Sequence, residues 1–144
     1  MIRCNNITVP AATISSLQSL QASIDAEPTF QSCVRRAKKD FKEQNKPRNP
    51  IFKLVRTAMK AASDAGHCAY CEVDTAAEID HFKPATLYPG TSFDLDNYVP
   101  CCAICNKRKG ERFPTFNSPT GAAVTLHKVG RSNRVAPPDL ISSW

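Results

Sequence analysis

The sequence predicts an α+β fold: helices first, then a small strand-bearing unit held by two cysteine pairs. Three observations lead there. Apolar residues recur at helical spacing through residues 12–62. After Gly66 the pattern changes to short extended runs broken by Pro and Gly. Two Cys-x-x-Cys pairs, Cys68/Cys71 and Cys102/Cys105, frame that second part. At 144 residues, 42% hydrophobic and 22% charged, the chain is one domain's length and not of disordered composition. No run approaches about 18 consecutive apolar residues, which excludes a spanning helix. The opening MIRCNNITVP lacks the basic-then-apolar order of a signal peptide, so a cytoplasmic chain is expected.

The elements follow in order. Residues 12–24 place Ile14, Leu17, Leu20 and Ile24 near helical spacing, ahead of a break at Pro28. Residues 29–44 put Phe30, Val34, Ala37 and Phe41 on one face. The other face carries Arg35, Arg36, Lys38, Lys39 and Lys42. Asn49-Pro50 is a start signal, an N-cap side chain followed by Pro at the first helical position. Ile51, Leu54, Val55, Ala58, Met59 and Ala62 then form the apolar stripe, with Gly66 as the expected stop. Residues 67–74 form the first knuckle, and 77–82 a short strand. A loop with turn signals at Pro84 and Pro89-Gly90 follows, then an extended run at 97–101. A helix is expected to begin near Cys105. Beyond Phe113 the chain reads as loop with one strand at 122–127, and residues 136–144 read as loop. This divides the chain into a basic helical region (1–66), a knuckle-framed unit (67–113) and a loop-rich extension (114–144).

Seven cysteines, at 4, 33, 68, 71, 101, 102 and 105, argue against a disulfide framework, being odd in number and without a secretion signal. A Cys-x-x-Cys turn puts two thiolates at adjacent corners of a metal tetrahedron, so the two pairs complete a closed Cys4 site for structural Zn²⁺. A redox pair would sit in a βαβ setting, which is absent. Cys102 is preferred to its neighbour Cys101 because it makes the correct spacing with Cys105. His67, beside Cys68, is read as a loop residue, and Cys4 and Cys33 as small apolar residues.

Between the knuckles lie Asp80-His81 at a strand end, Asn97, and Asn106 directly after Cys105. These suit metal-assisted phosphodiester hydrolysis. Asp80 and the Asn106 amide oxygen supply hard ligands for a divalent cation. The His81 imidazole titrates near neutral pH and serves as a base for water. Neighbours on a strand point to opposite faces, so Asp80 and His81 share a site only where the strand ends or bulges. Pro84 makes a break there plausible. His127 is read as a surface residue.

Taken together, Cys68-x2-Cys71, Glu78-Ile79-Asp80-His81-Phe82, Asn97-Tyr98-Val99-Pro100 and Cys102-x2-Cys105-Asn106-x2-Lys109-Gly110 resemble the HNH endonuclease family. The resemblance covers about residues 67–113. It implies a ββα-metal unit stapled by the zinc knuckles. It also implies His81 as general base, Asp80 as a ligand of the catalytic metal and Asn97 as the residue that pins the loop and orients His81. Asn106 stands where the family's final His would be, which favours a hard cation, Mg²⁺ or Mn²⁺. The looser run from Ile79 to Pro114 also resembles HNH subunits of bacterial antiphage defence systems of the Septu or retron kind. That resemblance implies an ATPase partner.

The net charge of +6 is unevenly placed. Residues 35–60 hold ten Lys and Arg against only Asp40 and Glu43, and residues 64–96 hold seven acids. Lys107, Arg108, Lys109 and Arg112 form a second basic patch beside Asn106. Both patches suit a polyanion, DNA first, because basic side chains that neutralise phosphates release counterions. The competing expectation is a non-catalytic zinc-ribbon module that binds nucleic acid or a protein. Oligomeric state stays open.

Overall fold

The computed structural model describes residues 7–63, 66–116 and 123–126. Three helices, α1 (Ala11–Asp25), α2 (Phe30–Gln44) and α3 (Pro50–Ala62), precede strands β1 (Glu78–His81) and β2 (Tyr98–Cys101), helix α4 (Ala103–Lys109), and strands β3 (Phe113–Phe116) and β4 (Ala123–Leu126). The α+β class is as expected. No helix among the described residues is long and apolar enough to cross a membrane.

The helix starts are set by side chains. At α2 a capping box operates: the Thr29 hydroxyl accepts from the Ser32 N–H, and the Ser32 hydroxyl accepts from the Thr29 N–H. At α3 the Asn49 Oδ1 accepts from the N–H groups of Ile51 (2.9 Å) and Phe52 (3.1 Å), ahead of Pro50 at the first helical position. The end of α3 differs from expectation. Helical geometry stops at Ala62, where the Ser63 N–H bonds to Met59 O at 3.0 Å. Gly66 does adopt a left-handed φ of 76°, but its carbonyl accepts from Ala76 N (2.9 Å), so it opens the first knuckle instead of closing the helix.

The buried faces are turned slightly from the expected ones. In α3 the core residues are Phe52, Val55 and Met59, while Leu54 is 44% exposed. In α1 Leu17 and Ile24 are buried, and Ile14 is 40% exposed. A stripe drawn through every aliphatic residue is wider than the arc a neighbouring helix covers, so its edge residues face water.

Leu17, Ile24, Ala37, Phe52, Val55 and Met59 from the helices meet Ile79, Phe93 and Tyr98 in one core. Phe41 joins them edge-on to Phe52, with ring centroids 5.5 Å apart. The helices therefore supply the apolar floor on which the β1–β2 hairpin lies. The strands pair antiparallel in unbroken register, with Glu78 opposite Cys101, Ile79 opposite Pro100, Asp80 opposite Val99 and His81 opposite Tyr98. Helix α4 starts at Ala103, two residues before the expected point, because the Cys102 Sγ acts as N-cap and accepts from Cys105 N at 3.4 Å. Strand β4 falls inside the expected 122–127. Its partner β3, with Phe113 opposite Leu126, occupies sequence read as loop. The readings of Cys4, His127 and residues 136–144 lie outside the described residues.

Candidate metal centre and hydrolytic site

The two knuckles meet. The Sγ atoms of Cys68, Cys71, Cys102 and Cys105 all lie within 4.8 Å of one another. Four thiolates about 2.3 Å from a tetrahedral zinc would be about 3.8 Å apart, so a modest contraction completes the shell. Backbone bonds hold the first knuckle: Cys68 N to Asp74 O (2.7 Å), Glu72 N to Cys68 O (2.8 Å) and Ala69 N to Pro100 O (2.9 Å). The last ties the knuckle to β2. Burial opposes the Cys68 thiolate, but N–H groups of Cys71, Cys102 and Tyr70 outweigh it and bring the thiol down to about 7. Crowding by the Cys102 thiol, then burial, pushes Cys105 up to about 12. Four like donors resist shared ionisation until a dication joins them, and an all-sulfur, closed set suits zinc. Cys101 is outside the cluster, its Sγ 3.8 Å from Glu78 O, so Cys102 is the correct member of the pair. Cys33 packs against the core, and His67 pairs through its backbone with Thr75.

Asp80 and His81 are placed at the far end of β1. Asp80 is largely buried. Its Oδ2 accepts from the Tyr70 hydroxyl (2.7 Å) and pairs with Lys109 Nζ (2.8 Å). Burial, with the Asp80 charge beside it, raises the Tyr70 phenol far above its ordinary range, so it remains a donor. Lys109 Nζ also donates to His81 O at 2.6 Å, so one ammonium joins α4 to both residues.

The His81 ring lies against Phe41, with centroids 4.2 Å apart, and its Nε2 is 2.8 Å from Ser92 O. A carbonyl only accepts, so Nε2 carries the proton and Nδ1 carries the lone pair. Burial lowers the imidazole's pKa and prevails over the Ser92 carbonyl and the Asp80 charge, so the ring is neutral at pH 7.

Asn97 closes the loop between the strands. Its Nδ2 donates to Lys83 O (3.1 Å), Thr91 O (2.9 Å) and Thr91 Oγ1 (3.1 Å), and its Oδ1 accepts from Lys83 N (2.7 Å). That fixes the segment bearing Ser92, and hence the carbonyl that holds His81. Asn106, on α4, donates from Nδ2 to Glu78 Oε2 at 2.6 Å. Glu78 and Asp80, two apart, share the strand face that α4 covers. The Asn106 amide and the Asp80 carboxylate are thus on one side of the hairpin, where the Lys109 ammonium already pairs with Asp80.

No bulge brings Asp80 and His81 together. The register is regular, and the two side chains leave opposite faces as alternation requires. The strand ends at His81. A cleft of about 200 Å³ opens there, lined by both residues, by Lys38, Phe41 and Lys42 of α2, and by Thr86 and Glu111 among others. The basic helix therefore walls the site.

The basic residues divide into three groups. Arg35, Lys39, Lys42, Lys107, Arg108 and Arg112 are exposed, and Arg112 donates to the Arg108 carbonyl. Arg36 is held by Asp40 (2.5 Å) and Glu27 (3.5 Å), and Lys38 by Glu111 (2.5 Å). Lys109 departs from the expected surface phosphate contact: its side chain is 13% exposed and turned inward onto Asp80. Residue counting missed Glu78, Tyr70 and Ser92. For Glu78 the signal was its place two residues before Asp80. For Lys109 it was one turn of α4 after Asn106.

Residues 68–112 match the family model for HNH endonucleases. The match runs from the first zinc-knuckle cysteine to just past α4, so it spans both knuckles, the hairpin and the helix. That segment, about a third of the chain, is thus similar to a nuclease domain. No curated protein and no solved structure matches the chain.

Proposed function

We propose that this chain is a metal-dependent HNH endonuclease that hydrolyses phosphodiester bonds in DNA, with Mg²⁺ or Mn²⁺ at Asp80 and Asn106 and structural zinc at the four cysteines. The observation that carries the reading is the bond from His81 Nε2 to Ser92 O, which puts the proton on Nε2 and leaves the lone pair on Nδ1, in a ring that lines the same cleft as Asp80.

His81 Nδ1 takes a proton from water as the water oxygen bonds to phosphorus. The bond from phosphorus to the leaving sugar oxygen breaks, and that oxygen takes up a proton from solvent. A bound dication would supply charge neutralisation at the phosphate and the leaving oxygen. Asn97 positions the Ser92 carbonyl. Lys42, exposed on the cleft wall, with Lys107 and Arg108, holds the phosphate backbone. In this reading residues 67–113 carry the chemistry, residues 1–66 give packing and DNA contact, and 114–144 form an extension. The resemblance to antiphage subunits supports a place beside an ATPase partner.

The test is cleavage of DNA and of RNA by the purified chain with Mg²⁺ or Mn²⁺, beside His81→Ala. Loss of a general base should slow cutting by about 10²–10⁴-fold. Cutting that survives the substitution overturns the mechanism. DNA binding with no metal-dependent cleavage, alone or with an ATPase partner, favours the zinc-ribbon alternative.

A further inference from the structure

We propose that Gln21 of α1 is a positioning residue of the hydrolytic site, acting on His81 through the peptide bond between Ser92 and Phe93; this rests on the nuclease reading above. The Ser92 carbonyl and the Phe93 N–H belong to one peptide unit. The carbonyl accepts from His81 Nε2 at 2.8 Å, and the N–H donates to Gln21 Oε1 at 3.0 Å. The unit is planar, with the two groups on opposite sides, so an acceptor that fixes the N–H also aims the carbonyl. An amide whose N–H is bonded has a more polarised oxygen, and hence a firmer hold on the imidazole proton.

Helix α1 places Gln21 for this task. The residue lies one turn after Leu17 and one turn before Ile24, both buried, so it stands on the core-facing stripe of the helix. A polar amide there needs partners at both ends, and it has them. Its Nε2 donates to Pro89 O (3.2 Å) and to Asp25 Oδ1 (2.8 Å). Those two acceptors require the N–H₂ end, which leaves the oxygen for Phe93 and fixes the amide's orientation.

Gln21 therefore grips the loop on both sides of Ser92, at Pro89 and at Phe93. Asn97 holds the same loop from the hairpin, through Thr91 and Lys83. The Tyr98 hydroxyl donates to Ser92 O at 3.0 Å, so with His81 it occupies both lone pairs of that carbonyl. The base is thus assembled from two parts of the chain. Residues 67–113 supply His81 and Ser92, and the acceptor that aims the Ser92 carbonyl comes from the helical region. Gln21 exchanges no proton with water or phosphate. It sets the ring whose Nδ1 takes the proton of the attacking water.

The experiment compares wild type, Gln21→Met, the double variant Gln21→Glu with Asp25→Asn, and Ile24→Val, each in the full zinc-loaded chain. Gln21→Met keeps the length and removes the acceptor. The double variant keeps an acceptor for the Phe93 N–H and reverses the donor beside it. Ile24→Val loosens the same helix in the core without touching Gln21. Two things are read: kcat and KM for DNA cleavage with Mn²⁺, and the proton NMR signal of the His81 ring N–H, which a bond to a carbonyl moves downfield and protects from exchange. Gln21→Met should lower kcat about tenfold or more with KM within about threefold, since a displaced base slows chemistry and not binding. It should also shift the ring signal upfield or broaden it away. The double variant and Ile24→Val should both keep the signal and hold kcat within about threefold of wild type. The inference is overturned if Gln21→Met keeps the wild-type kcat or the ring signal, or if either of the other variants is as slow as Gln21→Met. It also falls if Gln21→Met fails to fold, since the clasp would then serve the fold alone. An inactive wild type removes the nuclease reading, and the ring signal then decides the positioning by itself: lost in Gln21→Met and kept in the other two upholds it, unchanged in Gln21→Met overturns it.

Discussion

The two ends of the β1–β2 hairpin differ in kind. At its start Glu78 faces Cys101, next to four thiols that close on one point. At its finish Asp80 and His81 are held by a phenol, an ammonium and a backbone carbonyl from three other segments. The first end uses identical donors from two short sequence pairs and leaves no open position. The second uses dissimilar groups and keeps a cleft of about 200 Å³. A closed site of like donors contributes folding energy, whereas an open one keeps capacity for a substrate.

The largest effect that should separate the ends comes from the cysteines. Zinc sites of this kind bind with about 10–16 kcal/mol, most of it folding energy in a small unit. Cys102→Ser should lose the metal and collapse the knuckles, seen as loss of zinc by elemental analysis and a broad low-temperature melt. Cys101→Ser should keep the zinc. If it is Cys101→Ser that loses the metal, the ligand assignment is reversed. At the other end His81→Ala should slow cutting by about 10²–10⁴-fold while zinc content stays intact. Zinc lost from that variant would mean the two ends are not separable.

Lys109 comes next. Its pair with Asp80 is 13% and 10% exposed at the two side chains. Lys109→Met leaves a carboxylate buried beside Tyr70 alone, and breaking such a pair costs about 3–5 kcal/mol. Urea unfolding at pH 7 should show that loss. A change under about 1 kcal/mol would mark the pair as a surface contact. Asn97→Ala should cost less, about 1–3 kcal/mol, for the Lys83 and Thr91 groups left unpaired. It should also raise hydrogen exchange through residues 83–92, because the loop loses its clasp.

Legibility in the sequence follows the same division. The thiol end was plain because its four cysteines are neighbours in pairs, and the choice of Cys102 over Cys101 needed only the spacing. Asp80, His81, Asn97 and Asn106 could be named from a family pattern, but not what holds them. Tyr70, Ser92 and Lys109 come from separate segments, joined only once the chain folds. Lys109 was grouped with the surface basic residues because a charge count carries no direction. Its place one turn after Asn106 puts it on the hairpin side of α4 instead. The helices were legible in extent but not in rotation: the expected stripe of α3 took in Leu54, which is exposed, and left out Phe52, which is buried against Phe41 and Tyr98.

Glu78 belongs to both ends and sets the finest test. It opens β1 opposite Cys101, yet its carboxylate reaches Asn106 across 2.6 Å. That bond takes the amide's N–H₂ and so turns the amide oxygen away from Glu78, free to act as the proposed cation ligand. Glu78→Gln keeps the size and exposes no new apolar surface. The substitution should leave zinc content unchanged and melting within about 0.5 kcal/mol, the scale of an exposed polar change. Outer partners of metal ligands typically contribute 10–100-fold in affinity, so Mn²⁺ binding by calorimetry on the His81→Ala background should weaken about tenfold. Unchanged Mn²⁺ affinity would show that Asn106 is oriented by α4 alone. A loss of zinc together with Mn²⁺ would show that the two ends share one support, and that the contrast between them is one of ligand chemistry and not of independent folding.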